Sequence, residues 1–143
     1  MKIMIVGSMC FAKDMVETRR ELENLSHAVS LPYDTEDHLK DPTLRDDTER
    51  GRKHSIETDI YRKCFDILAD NEAILVLNKP QRGVDGYIGA AVLMEIGLAY
   101  YLHKKIFLLN PVPANERYSE DVTILGAVIL DGDLSKIPVS TNA

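Results

Sequence analysis

Runs of uninterrupted apolar residues recur along the chain: KIMIV at 2–6, AILVL at 73–77 and KIFLL at 105–109. A short run without polar alternation is what a strand covered on both faces of a parallel sheet requires. Shorter runs at 28–31, ended by Pro32, and at 127–130 predict two further strands. Between them the period changes. Over 12–25, Ala12, Met15, Val16, Leu22 and Leu25 alternate with Glu17, Arg19, Arg20, Glu21 and Glu23, the pattern of an amphipathic helix. Ile56, Ile60, Cys64, Ile67 and Leu68 form one stripe that predicts a helix over 53–69. Residues 88–102 predict a helix that is apolar nearly all round and therefore buried, and 116–125 a short one. Strands alternating with helices are βαβ units whose crossovers are right-handed. The expected fold is α/β, a Rossmann-like or flavodoxin-like three-layer sandwich with a parallel sheet of about five strands, in one domain over 1–143. Ligands of such sheets bind beyond the carboxyl ends of the strands, which selects 7–10, 78–89 and 110–119.

One segment breaks the pattern. Residues 33–50 hold seven of the 23 acidic residues and almost nothing apolar beyond Leu39 and Leu44, so a polar acidic loop, whether a mobile lid, an insertion or simple disorder, is expected there. The net charge of −6 argues against a nucleic acid polymer or an anionic membrane surface as partner. Because much of that charge falls in the loop, it does not argue against a small anionic ligand. No stretch approaches the roughly 20 apolar residues of a membrane span. The opening run is too short for an export signal, so a cytoplasmic location and free thiols at Cys10 and Cys64 are expected. His27, His38, His54 and His103 are scattered and no Cys-x-x-Cys or His-x-x-x-His pair exists, so neither a metal nor a cofactor is expected.

The residue that stands out is Glu95. Its neighbours one turn away on the helix are Ala91, Val92, Leu98 and Ala99, none of which can pair with it. A carboxylate in such a setting needs a partner from elsewhere in the fold or a cavity with water and ligand. It reads either as a buried structural glutamate that caps loop amides or as a functional group. The loop before its helix, G-V-D-G-Y-I-G over 83–89, offers backbone amides suited to phosphate or sugar oxygens, although a plain turn explains it equally well. Gly7, Ser8 and Met9 after the first strand are similar in kind. Asp66 follows Arg62 by one turn, which suggests an exposed ion pair. Cys64 on the apolar stripe reads as a small buried hydrophobe.

The strands KIMIVGSM and AILVLN, and the segment GYIGAAVLMEIGLAYYLHKKIFLLNPVP, resemble the nucleoside 2-deoxyribosyltransferase-like superfamily, in particular a small uncharacterised branch. The most specific part is E-x-G-x-A followed by lysine and an apolar strand; the likeness spans most of the chain outside the acidic segment. The resemblance implies that Glu95 is the nucleophile toward an anomeric carbon. It implies an upstream aspartate that passes a proton to the base, with Asp66 the nearest match and Asp59 or Asp70 as alternatives. It further implies sugar or phosphate contacts from Gly7 and Ser8; Met9 beside them, and Asn78, Gly86, Tyr87 and Gly89 in the connection after the third apolar strand, are further candidates because they lie beyond the carboxyl ends of the strands. Ser119 or Asn115 would complete a neighbouring subunit's site in a homodimer or larger homo-oligomer. Two positions depart from the family's pattern. No arginine follows the Gly-Ser pair, where Met9, Cys10, Phe11 and Ala12 precede Lys13, and Ala91 stands where many members have a polar residue.

The function these residues imply is cleavage or exchange of the N-glycosidic bond of a nucleoside or nucleoside 5′-monophosphate, by a retaining route through a glycosyl-glutamate. Such a Glu95 must be ionised, and Tyr87 is a candidate donor to hold it so. The alternative is a non-catalytic nucleotide-binding or sensing domain of the same fold; a third reading is an adaptor whose acidic segment recruits a basic protein.

Overall fold

The apolar runs pair as the sequence predicts. In the computed structural model, which describes residues 1–140, five parallel strands lie in the order β2-β1-β3-β4-β5. They are β1 (Lys2–Val6), β2 (Ala28–Ser30), β3 (Ala73–Val76), β4 (Lys105–Leu108) and β5 (Val128–Ile129). That order is the flavodoxin-like one. From Ile3 to Val6 and from Ala73 to Val76 every side chain is buried, because helices cover both faces. Ile3, Ile5, Ala73 and Leu75 face α1 (Ala12–Asn24), where they meet Met15 and Leu22. Met4, Val6, Ile74 and Val76 face the other way, onto α4 (Ile60–Ala69), α5 (Ala90–Tyr101) and α6 (Tyr118–Ile124). Burying these side chains supplies the main drive to fold, roughly 1.5–3 kcal/mol for each large one. Among the described residues no helix is long and apolar enough to cross a membrane.

Two departures from expectation concern the segment between β2 and β3. The helix expected over 53–69 is two helices, α3 (Thr48–Thr58) and α4, broken at Asp59, whose φ of 51° is left-handed. Asp59 also takes Arg62 as its ion partner at 3.2 Å, in place of the pair expected between Arg62 and Asp66. The expected acidic loop over 33–50 is largely helical: α2 (Thr35–Lys40), a 3-10 turn at Leu44–Asp46 and the first turn of α3. Its polar side chains work on the backbone and on each other. The Thr35 hydroxyl donates to the Pro32 carbonyl at 2.8 Å, and Asp47 caps α3 by accepting from the Arg50 amide at 3.0 Å. Asp41 accepts from the Thr43 hydroxyl at 2.7 Å and pairs with Arg50 at 2.9 Å. Asp34, Thr35, His38 and Leu44 are buried beneath this cover.

Where the strands end, one side chain ties the loops together. Val6, Val76 and Leu108 finish level in the sheet register. Just beyond, the Asn78 side chain is fully buried. Its amide nitrogen donates to the Asn110 carbonyl at 2.8 Å and reaches the Pro111 and Gly86 carbonyls at 3.3 and 3.5 Å. Its oxygen accepts from the Asn110 amide at 2.9 Å. Gly86 is held at a φ of 70°, and a Cβ there would collide with the Pro111 carbonyl oxygen. Asn78→Ala should therefore destabilise the protein by about 2–4 kcal/mol in urea unfolding, because it orphans buried backbone groups. Gly86→Ala should lower stability by about 2 kcal/mol or more for steric and dihedral reasons together.

Candidate functional site

Strand order fixes where a cavity can form. From β1 the chain crosses to β2 on one side, while β3 lies on the other, and the helices that leave the two neighbouring strands part at their carboxyl ends. A cavity of about 540 Å³ occupies that crevice. Gly7, Ser8 and Met9 line it as they leave β1, with Tyr87 and Gly89 from the loop after β3. α4 contributes Ile60, Tyr61, Cys64 and Phe65, and α2 and α3 close over the top. A shallower depression of about 440 Å³ on the outside of this cover is lined mainly by charged side chains such as Asp41, Arg50 and Glu57.

Glu95 forms part of the cavity wall. It lies two turns into α5, which starts at the carboxyl edge of the sheet after an extended Gly89, and helical side chains lean back toward their own N-terminus. That lean carries the carboxylate toward the cavity. Only 8% of the residue is exposed, and its carboxylate makes no hydrogen bond to any described residue. Burial, and then the negative charge of Asp34, push its pKa from the ordinary 4.5 up to about 7. The donor expected from Tyr87 is not made: Tyr87 lines the cavity but forms no bond to Glu95. At neutral pH such a group is divided between a carboxylate able to attack carbon and an acid able to give a proton. The Cys64 thiol is pushed up to about 11, chiefly by burial, which makes it inert beside Glu95.

The other expected site residues divide. Gly7, Ser8, Met9, Tyr87 and Gly89 meet Glu95 around one cavity. Asn78 and Gly86 do not line it; they form the clamp that holds the loops. Ser119 is buried, donates its hydroxyl to the Pro113 carbonyl at 2.6 Å and does not line the cavity. Asp66 is exposed on α4 and outside the cavity lining, as are Asp59 and Asp70. The carboxylate beside Glu95 is instead Asp34, which accepts from His38 Nε2 at 3.1 Å. A signal for this pair was present in the sequence, since Asp34 and His38 are spaced to share a helix face.

Two further groups enter from the cover and the loop. Arg45, Arg52 and Arg82 reach the cavity. Arg82 and Gly83 occupy the two middle positions of a tight turn, both at positive φ, closed by hydrogen bonds between Gln81 and Val84. Of the four histidines, His38 and His54 converge with Asp34, one ligand-capable atom from each lying within 4.8 Å of the others. Histidines that are scattered in the sequence are therefore gathered in space.

The raised pKa of Glu95 makes stability depend on pH. Below 4.5 folded and unfolded chains both hold the proton; between 4.5 and about 7 the unfolded chain releases a proton that the fold retains, so stability falls as pH rises through that window. Glu95→Gln removes this dependence. Measured by thermal or urea unfolding, the variant should gain on wild type with rising pH, by up to about 3 kcal/mol at pH 8, and lose the gain at pH 5. Comparison of the chain with protein-family models finds no match, and comparison with curated proteins finds no significant relative.

Proposed function

We propose that the protein cleaves or exchanges the N-glycosidic bond of a nucleoside or nucleoside 5′-monophosphate, with Glu95 as the nucleophile. The observation that carries this reading is a buried carboxylate, without a hydrogen-bond partner among the described residues, in the wall of a cavity at the sheet's switch point. A volume of about 540 Å³ lies in the range of small-molecule sites. In the proposed reaction an ionised Glu95 oxygen attacks the anomeric carbon. The carbon–nitrogen bond breaks with its electron pair going to the base, which takes up a proton from water, and a glycosyl ester remains on the enzyme. Water then hydrolyses the ester, or a second base intercepts it. Asp34 and Asp47, rather than Asp66, are the aspartates that line the cavity with Glu95. Tyr61, Phe65 and Tyr87 offer faces on which a base can stack, and Arg45, Arg52 and Arg82 offer positive charge for a phosphate.

Incubation with a panel of nucleosides and 5′-mononucleotides, with free base followed by chromatography, tests the reading. Wild type should release base, and Glu95→Gln should slow release by at least about a thousandfold. Release that persists unchanged in Glu95→Gln would overturn the nucleophile. If wild type releases nothing while nucleotides raise its melting temperature, the protein is a binding domain. Arg52→Ala should raise KM for 5′-monophosphates by about tenfold with little change for nucleosides, as expected for loss of one charge-assisted contact.

A further inference from the structure

The cover contributes more to the cavity than a lining. Asp34 stands just before α2, His38 lies one turn into it, and His54 comes from the facing helix α3. All three line the same cavity as Glu95. Asp34 Oδ2 and His38 Nε2 are 3.1 Å apart, close to the roughly 3.3 Å that separates two ligand atoms on a tetrahedral ion with bonds of 2.0–2.1 Å. The two imidazole rings meet edge to face with centroids 6.2 Å apart.

The hydrogen bonding of this cluster is incomplete. His38 Nδ1 and His54 Nε2 are both buried without a hydrogen-bond partner among the described residues, and His38 is only 8% exposed. The nearest carboxylate to His54 Nε2, from Asp37, is 3.6 Å away, beyond a hydrogen bond. Buried imidazole nitrogens are ordinarily paired, and His54 Nε2 beside the Asp34–His38 pair leaves an unmet need for an electron-pair acceptor or a proton acceptor. A cation held between His54 Nε2 and the facing atoms of Asp34 and His38 meets it, while His38 Nδ1 lies on the side of its ring away from the ion.

We propose that Asp34, His38 and His54 form a binding site for a first-row divalent transition metal ion, of which zinc is the type. Two imidazoles and one carboxylate are the donor set that such ions prefer, whereas magnesium and calcium favour all-oxygen sites. Three protein ligands leave coordination positions open. The cavity supplies the space beside them, so an oxygen of the bound molecule, a sugar hydroxyl or a phosphate oxygen, completes the shell. The site stands whether or not Glu95 is a nucleophile, and metal binding is measured without turnover.

Chelator-treated protein titrated with Co²⁺ tests the site. Wild type should bind one ion per chain and develop the intense visible absorption of a four- or five-coordinate ion, which Zn²⁺ abolishes by displacement. His54→Gln and His38→Gln should each weaken binding by roughly a hundredfold or more, and exposed His103→Gln should leave it unchanged. His54 lies on α3, a helix that buries no residue, so His54→Gln tests the site without disturbing the core; its circular dichroism should match wild type. Zn²⁺ should raise the melting temperature of wild type and not of His54→Gln. A wild-type spectrum that stays that of aqueous Co²⁺, or binding that survives in both His38→Gln and His54→Gln, would overturn the proposal.

Discussion

The buried amide of Asn78 is the fixed point from which the cavity is built. It sits two residues past the central strand β3 and holds the loop after β4 through Asn110 and Pro111. The same side chain reaches Gly86 in the loop that leads to α5. Without this tie two glycine- and proline-rich loops would meet at the sheet edge with unpaired backbone groups, which burial does not permit. With it, the start of α5 is set against the sheet, and the position of Glu95 follows from helix geometry. A residue that touches no ligand thus fixes the one that faces the cavity.

Glu95 in turn is defined by what surrounds it. Its helix is apolar on almost every side, its carboxylate has no hydrogen-bond partner among the described residues, and its nearest influential charge is another carboxylate. A fold seldom retains a desolvated acid without a use, since the penalty falls directly on stability. The cover over the cavity has the opposite character. It is assembled from caps and ion pairs between half-exposed side chains, which hold its shape while contributing little to overall stability.

Much of this was legible in the sequence, for identifiable reasons. A strand buried on both faces leaves an unbroken apolar run, so β1, β3 and β4 announced themselves. Glu95 was visible because a charge inside an apolar helix has no local explanation. The cover was not legible, because Asp34, Asp41 and Asp47 used as caps and ion partners have the same composition as a solvated loop. The break at Asp59 was hidden because an aspartate in the left-handed region carries no periodic mark. Asn78 and Ser119 read alike in sequence whether they face a ligand or a carbonyl, and their hydrogen bonds with Asn110 and Pro113 are visible only in three dimensions.

Helix α3 buries no residue, and its largest apolar side chain, Ile56, is 72% exposed. The sheet therefore folds on contacts that α3 does not supply. Change on α3 bears on what the cavity holds more than on whether the chain collapses, because the floor that carries Glu95 packs without it.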